Sequence, residues 1–386
     1  MRIQASNLRH AYRSNHLRTF DLNGVGTCAV ENRSSSPPVI AVCGFKDSGK
    51  TTLLEGVIPL LCNQGLAVGV IKHDAHGVQV DHRGKDSDRL FRVGANVLLH
   101  GPNETLTRRH PSPVADLEEA VDMPLWRHDV VLVEGRKETP LPKIWLHGPG
   151  HPPPPPGISD IVLELAWEAE RAPKATAWIM ERVHAAWHER RINGVVLVGG
   201  ASRRMGRPKQ LVVHRGVTLS ERAVEAISGP VEKIVLAGSG LVPRPLESLP
   251  RLPDSPGLVG PLAGVLSVMR WAPDATWVVA ACDMPRVNSE AVAWLIGQRR
   301  PGVWAVMPRL PHGRVEPLLA VYEPQARPLL EAQAACSRWG PRHLAANDRV
   351  ICPTPPAELS AAWENVNTPE EMASVSMPEE TEHSTL

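Results

Sequence analysis

Residues 39–52 read Val-Ile-Ala-Val-Cys-Gly-Phe-Lys-Asp-Ser-Gly-Lys-Thr-Thr, an apolar run that ends in a glycine, four residues and Gly-Lys-Thr. That spacing suits polyphosphate binding when a strand precedes it and a helix follows. Gly44 and Gly49 let the backbone curl so that several N–H groups face phosphate oxygens. The helix expected from Leu53 adds the positive end of its dipole. Lys50 is then placed to reach the β- and γ-phosphates, and the Thr51 hydroxyl to ligate magnesium. Farther on, Asp129 and Glu134 flank an apolar strand at 130–133. Glu134 either holds a magnesium-bound water opposite the loop or is a surface loop carboxylate.

A second glycine-rich turn follows the apolar run 194–198. Gly199-Gly200 lets the backbone approach a ligand closely, and Arg203, Arg204, Arg207 and Lys209 follow it. Main-chain amides together with Arg204 and Lys209 can neutralise a triphosphate; a purely structural turn has the same local look. Residues 254–264 form another glycine-rich loop leading into a helix. The buried-strand pattern at 277–281 runs into Asp283, a carboxylate at a strand end where α/β folds bind ligands.

The elements that must position these groups alternate strand and helix. Before residue 190, apolar strands are expected at 39–42, 67–71, 96–100, 129–133 and 158–165, with a helix over 174–190. Trp178 and Trp187 stand on its packing face. After it, strands are expected at 194–198, 233–237 and 277–281. Both halves therefore read as α/β units with parallel sheets, divided near 189–191. The 386 residues fit two or three domains. The chain carries 42 Lys+Arg against 41 Asp+Glu, which removes any bulk electrostatic case for nucleic acid or an anionic membrane. No apolar run approaches the roughly 18 residues that suggest a membrane span. The first 36 residues read as a basic, disordered extension, and 375–386 as a flexible tail. Six scattered cysteines without close pairs read as buried free thiols in a reducing, cytoplasmic compartment.

Several blocks carry a family resemblance. Residues 44–52, 71–76, 81–87, Val131-Leu-Val-Glu-Gly-Arg-Lys137 and Pro142-Lys-Ile144 resemble the molybdopterin-guanine dinucleotide biosynthesis accessory protein, the MobB family, over about 39–146. This implies a GTP-binding P-loop domain over 37–190, with a proline-rich loop at 151–157. Such proteins are often dimeric, hydrolyse GTP slowly at most, and assist a guanylyltransferase. Arg136 departs from the family, which has an apolar aromatic after Glu-Gly. His73, Asp74, His76 and Asp81 read as a polar loop serving substrate or dimer contacts, since no closed tetrahedral ligand set is apparent.

The blocks at 193–209, 254–264, 277–285, 316–322 and 365–370 resemble the molybdenum cofactor guanylyltransferase, the MobA family, over roughly 192–374. The whole resembles a MobB–MobA fusion, the second half being a Rossmann-like nucleotidyltransferase domain of the glycosyltransferase-A type over 191–374. The implied reaction is transfer of GMP from GTP to Mo-molybdopterin, with pyrophosphate released. The first loop's implied nucleotide contacts are Gly44, Asp47, Ser48, Gly49, Lys50, Thr51 and Thr52. Those of the second half are Leu197, Val198, Gly199, Gly200, Lys209, Asp254 and Asp283. Arg204, Lys209 and Asp283 are the expected catalytic groups, and Asp283, Thr51 and Glu134 the magnesium ligands. Asn367 is either a further metal partner or a turn residue before Thr368-Pro369. GTP and the molybdenum cofactor are the expected ligands, with molybdenum apoenzymes and their chaperones as further partners. The Gly199-Gly200 pair resembles the GTP-using branch, whereas Pro208 stands where guanylyltransferases have aspartate. The other readings are a CTP-using transferase, a GTP-binding carrier with a degenerate transferase half, and a sugar-1-phosphate nucleotidyltransferase.

Pro152–Pro156 has no backbone donors and favours an extended conformation. Replacing it with a Gly/Ser stretch should leave the thermal midpoint within about 2 °C, as for changes away from a core; a large drop in a melting scan would show a buried role.

Overall fold

The computed structural model describes residues 37–72, 83–94, 97–108, 127–167, 170–199 and 205–376. The expectations placed on 1–36, on His73, Asp74, His76 and Asp81, on Gly200, Arg203 and Arg204, and on 377–386 lie outside the described residues.

The first sheet holds β1 (Val39–Gly44), β2 (Val68–Lys72), β5 (Val130–Glu134), β6 (Lys143–Leu146) and β7 (Ile161–Leu165) in the order β2-β5-β1-β6-β7, all parallel. The β1 interior is buried on both faces, as expected for a central parallel strand. Helix α1 (Lys50–Asn63) covers one face with Leu53, Leu54, Val57 and Leu61. Beside it lies α3 (Arg171–His188), which contributes Ala175, Ile179 and Val183 at four-residue spacing. The 96–100 expectation needs correction. Between α2 (Asp86–Arg92) and β5, the strands β3 (Val97–His100) and β4 (Thr105–Arg108) form their own antiparallel hairpin. Its turn closes by Gly101 N–H donating to the Glu104 carbonyl, too short a link for a parallel crossover.

The second half begins at β8 (Ile192–Leu197). The two-stranded ribbon β9 (Val213–His214) and β10 (Val217–Thr218) follows. The main sheet adds β11 (Lys233–Ala237), β12 (Arg251–Leu252), β13 (Thr276–Ala281), β14 (Ala305–Val306), β15 (Leu319–Tyr322) and β16 (Val350–Ile351). Their order is β12-β11-β8-β13-β15-β14-β16. Helices α4 (Leu219–Ser228) and α6 (Ser289–Gly297) cover one face, and α5 (Pro261–Trp271) and α7 (Ala326–Ala335) the other. The three expected strands β8, β11 and β13 pair in parallel, whereas β15, which the sequence did not single out as a strand, runs antiparallel to both β13 and β14. The chain returns from β14 to β15 through a hairpin-like excursion bridged at Arg309 and Val315, with no crossover helix to reset its direction.

The expected helix at 174–190 starts one turn earlier, which its Pro173 permits, and stops at His188. Arg190 then turns inward, 7% exposed, and pairs with Glu323 at 2.9 Å. Arg299 donates to the other Glu323 oxygen at 2.7 Å, and the Thr276 hydroxyl also donates to the carboxylate. Trp178 packs on the first core, whereas Trp187 stacks under Arg299 of the second half at 4.6 Å. Nearby, the Trp304 indole N–H donates to Asp129 at 3.1 Å, and the other Asp129 oxygen accepts from Ala67 N–H. Burial pushes the Asp129 carboxyl up, against those two bonds. The start of β5 is thus tied to the second half, while its far end carries Glu134. Cysteines 43 and 282 are buried thiols, but Cys62 and Cys336 are exposed, contrary to the expectation that all were buried. Cys28 lies outside the described residues.

Burial raises the Glu323 carboxyl, but Arg299 and Arg190 outweigh it and hold the group below its usual value. A folded pKa below the unfolded one gives stability present above the unfolded value of about 4.3 and lost as pH falls through the folded value. Glu323→Ala should therefore destabilise the chain by about 3–5 kcal/mol near neutral pH, as expected when one partner of a buried pair is removed. In an acid melting series, the wild type should lose stability faster than Glu323→Gln; parallel curves would show that the carboxylate contributes nothing.

Candidate functional site: two phosphate loops at strand ends

At the carboxyl end of β1, Gly44 has φ 153° and Gly49 φ 83°. A Cβ on Gly44 would lie 2.7 Å from the Leu146 carbonyl oxygen, so glycine is required where the loop passes β6. Asp47 adopts φ 60° between them. Ser48 is fully buried with its hydroxyl unpartnered, and Asp47 and Thr52 are exposed. Lys50 Nζ folds back over the loop, donating to the Phe45 carbonyl at 2.7 Å and the Gly44 carbonyl at 3.4 Å. The Thr51 hydroxyl donates to Glu134 at 2.9 Å, across 83 residues of sequence. Lys72 Nζ stands 3.6 Å from the other Glu134 oxygen. The structure thus brings Lys50, Thr51 and Glu134 together, with hydroxyl and carboxylate positioned to share one hard cation.

Arg171, at the start of α3, is a brace that sequence reasoning missed. It donates to the carbonyls of Ser48 at 3.0 Å, Leu165 at 3.3 Å and Ala166 at 2.5 Å, and to that of His147. Its guanidinium also lies over the exposed Trp167 ring at 4.8 Å. Nothing local in the sequence marks it, because its carbonyl partners come from three separate strand ends.

In the second half, Lys209 Nζ contacts Asp283 at 3.0 Å and the Asn367 side-chain oxygen at 2.9 Å. The three residues span 158 positions of sequence and meet just beyond β13. The second Asp283 carboxylate oxygen is buried without a partner. The Val366 N–H donates to the Asp283 carbonyl at 2.9 Å, which fixes Asn367 beside the carboxylate. Next to it, buried Glu316 accepts from Leu318 N–H at 3.1 Å and from Asn365 at 3.4 Å, and Arg314 donates to Asn365 at 2.6 Å. Burial first, and the Asp283 charge to a lesser degree, push the Glu316 carboxyl up. Glu316 opens the block at 316–322, but its supporting role is visible only in space.

Leu197 and Val198 lead into Gly199, whose φ is 154°. Gly240 N–H donates to the Val198 carbonyl at 3.1 Å, pinning the two strand-end loops together. Gly264, near the start of α5, is so close to Leu197 that an added Cβ would lie 2.9 Å from its side chain and 3.5 Å from the Asp254 carboxylate. Leu197, Asp254 and the start of α5 therefore gather at one strand end, while Asp254 itself is exposed.

Residues 39–164 match the family described as molybdopterin guanine dinucleotide synthesis protein B, and residues 194–350 match the MobA-like NTP transferase domain. The chain is 41% identical over 133 residues to a molybdopterin-guanine dinucleotide biosynthesis adapter protein of Haemophilus influenzae, covering 33% of this chain and 74% of the relative. It is 35% identical over 136 residues to a molybdenum cofactor biosynthesis bifunctional protein of Synechocystis, covering 34% of this chain and 39% of that protein. A probable molybdenum cofactor guanylyltransferase of Bacillus cereus is 34% identical over 134 residues, or 33% of this chain and 66% of the relative. Among the described residues, no helix is long and apolar enough to cross a membrane.

Removing the brace should loosen the first loop. Arg171→Ala should weaken nucleotide binding to the first half by about tenfold, equivalent to ~1.4 kcal/mol. Arg171→Lys should not restore it, since one ammonium cannot replace the guanidinium fork. Titration calorimetry showing unchanged affinity in both variants would remove Arg171 from the site.

Proposed function

The chain belongs to the molybdopterin guanine dinucleotide synthesis protein B family through its first half and to the MobA-like NTP transferases through its second, and on that basis we propose that it transfers GMP from GTP to molybdopterin. The observation that carries the reading is the convergence of Lys209, Asp283 and Asn367 within 3.0 Å contacts. In the implied reaction a terminal phosphate oxygen of molybdopterin bonds to the α-phosphorus of GTP. The bond from the α-phosphorus to the bridging oxygen of the β-phosphate breaks, and pyrophosphate leaves. A phosphate oxygen is already anionic at neutral pH, so no protein nucleophile is required, and positioning and electrostatics supply the catalysis.

Lys209 is the cation within reach of the leaving pyrophosphate; Arg204 is assigned the same role on sequence grounds. The unpartnered Asp283 oxygen and the Asn367 side chain fit a magnesium ion at this site. Such an ion, when bound, would offset charge on the phosphates. Lys209 neutralises Asp283 directly at 3.0 Å. Nucleotide binding exchanges that contact for one between Lys209 and phosphate, keeping each charge paired. The Asp254 loop and the first turn of α5 are assigned to the nucleoside in this reading, since they gather with Leu197 at the end of β8.

The first half is the accessory GTP-binding unit in this reading. Lys50 serves the β- and γ-phosphates, and Thr51 with Glu134 fits a second magnesium ion. Its ties through Asp129 and Arg190 join that unit to the transferase half. Five described cysteines are free thiols, which suits a reducing cytoplasm.

Incubation of the full chain with molybdopterin and GTP, CTP, ATP or UTP in turn should give one product by mass, molybdopterin plus a guanylyl group, with GTP alone. A cytidylyl product would redirect the base assignment. Asp283→Ala should slow pyrophosphate release at least about a hundredfold, within the range for loss of a transition-state electrostatic partner; near-normal release would refute the site.

A further inference from the structure

Beside the first phosphate loop lies a cleft of about 300 Å3 that shares Gly44 and Phe45 with the contacts of Lys50 but is lined by none of Lys50, Thr51 and Glu134. Its walls are Phe45 and Lys46 on one side and the Arg136-Lys137-Glu138 turn on the other, with Cys43 and Trp145 also lining it. Of the nucleotide contacts named above, only Gly44 reaches it. Three cations face a single carboxylate, and Glu138 stands 4.0 Å from Lys137. Lys46 and Arg136 have no carboxylate partner among the described residues. The Arg136 Nε and the Trp145 indole nitrogen are buried donors with no acceptor. A partly buried guanidinium left unpaired is unfavourable unless an anion completes it.

The backbone gives a second, independent indication. Arg136 has φ 57°, a left-handed conformation that a long side chain rarely adopts. The turn is held there from both sides. Gly135 N–H donates to the Val42 carbonyl at 2.9 Å, the Cys43 thiol to the Gly135 carbonyl at 3.2 Å, and the Thr139 hydroxyl to the Arg136 carbonyl at 2.8 Å. Strain sustained by the surrounding bonds is characteristic of sites that present a group to a ligand. Here the group presented is the Arg136 guanidinium.

We propose that this cleft binds a phosphate monoester dianion distinct from the nucleotide on the adjoining loop. Two unpaired cations call for two negative charges on one head group, which a carboxylate does not carry and a phosphate monoester does. Phe45, seated by edge-to-face contact at 5.6 Å on the buried Trp145, offers apolar surface to the organic body behind the phosphate. Molybdopterin is one such monoester; occupation of the cleft by the terminal phosphate of the loop's own nucleotide is the competing outcome that saturation with a nucleotide analogue tests. The inference goes beyond the guanylyl-transfer reading and does not rest on it, since monoester binding and product formation are measured separately.

The probe is phenyl phosphate, titrated by calorimetry into the full chain saturated with magnesium and a non-hydrolysable GTP analogue. Binding should persist under saturation. It should weaken about tenfold or more in Arg136→Gly, a substitution whose φ glycine adopts freely, so that the thermal midpoint holds or rises. Lys46→Gln should weaken binding about threefold without touching the turn, as expected for a more exposed charge-assisted contact. Displacement of phenyl phosphate by the nucleotide analogue, or equal affinity in wild type, Arg136→Gly and Lys46→Gln, would overturn the proposal.

Discussion

A triphosphate brings several negative charges into a place where water is partly excluded, and every group that holds it must supply positive charge without collapsing onto a neighbour. In the proposed reading both halves of this chain meet that demand at the carboxyl end of a central parallel strand. There the backbone can curl through glycine, expose N–H groups and lead into a helix or a cationic turn. The first half does this within nine residues, from Gly44 to Thr52. In the second, the described part of the loop runs from Val198 to Gly199 and resumes at Met205 before Lys209.

Charge balance explains how the lysine of each site is held. Lys50 is held by loop carbonyls, and Lys209 by a carboxylate and a side-chain amide. An unpaired ammonium or carboxylate in these half-buried positions would be unfavourable, so each makes an internal contact that a phosphate or a cation can replace. The same logic operates away from the phosphate loops. Glu323 lies between Arg190 and Arg299, and Asp129 accepts two N–H donors. Asp129 joins the strand that ends in Glu134 to the transferase half through Trp304, and Arg190 joins the end of α3 to it through Glu323. They place the accessory unit in direct mechanical contact with its partner domain, not on a free tether.

The phosphate loops were legible because their residues are neighbours in sequence and their glycines and lysines have few other uses in that order. Asp283 was legible from its place after a buried strand. The pairing direction of β3 and of β15 was not, since an apolar run of four or five residues carries no information about which way its partner runs. Arg171 was invisible for a different reason: its partners are backbone carbonyls, which every residue type offers. Arg190 read as the hydrophilic end of a helix until Glu323, 133 residues away, showed where it turns. For Asn367 the sequence left ligand and turn residue equally open, and the backbone bond from Val366 to Asp283 is what brings it to the carboxylate.

The central claim is that one chain carries two independent polyphosphate grips, and the most direct measurement is the stoichiometry of magnesium-dependent GTP binding to the full chain. Two equivalents should bind to the wild type, with Lys50→Ala and Asp283→Ala each removing one and the double variant removing both. A single equivalent, abolished by either change alone, would mean that the two loops serve one shared site.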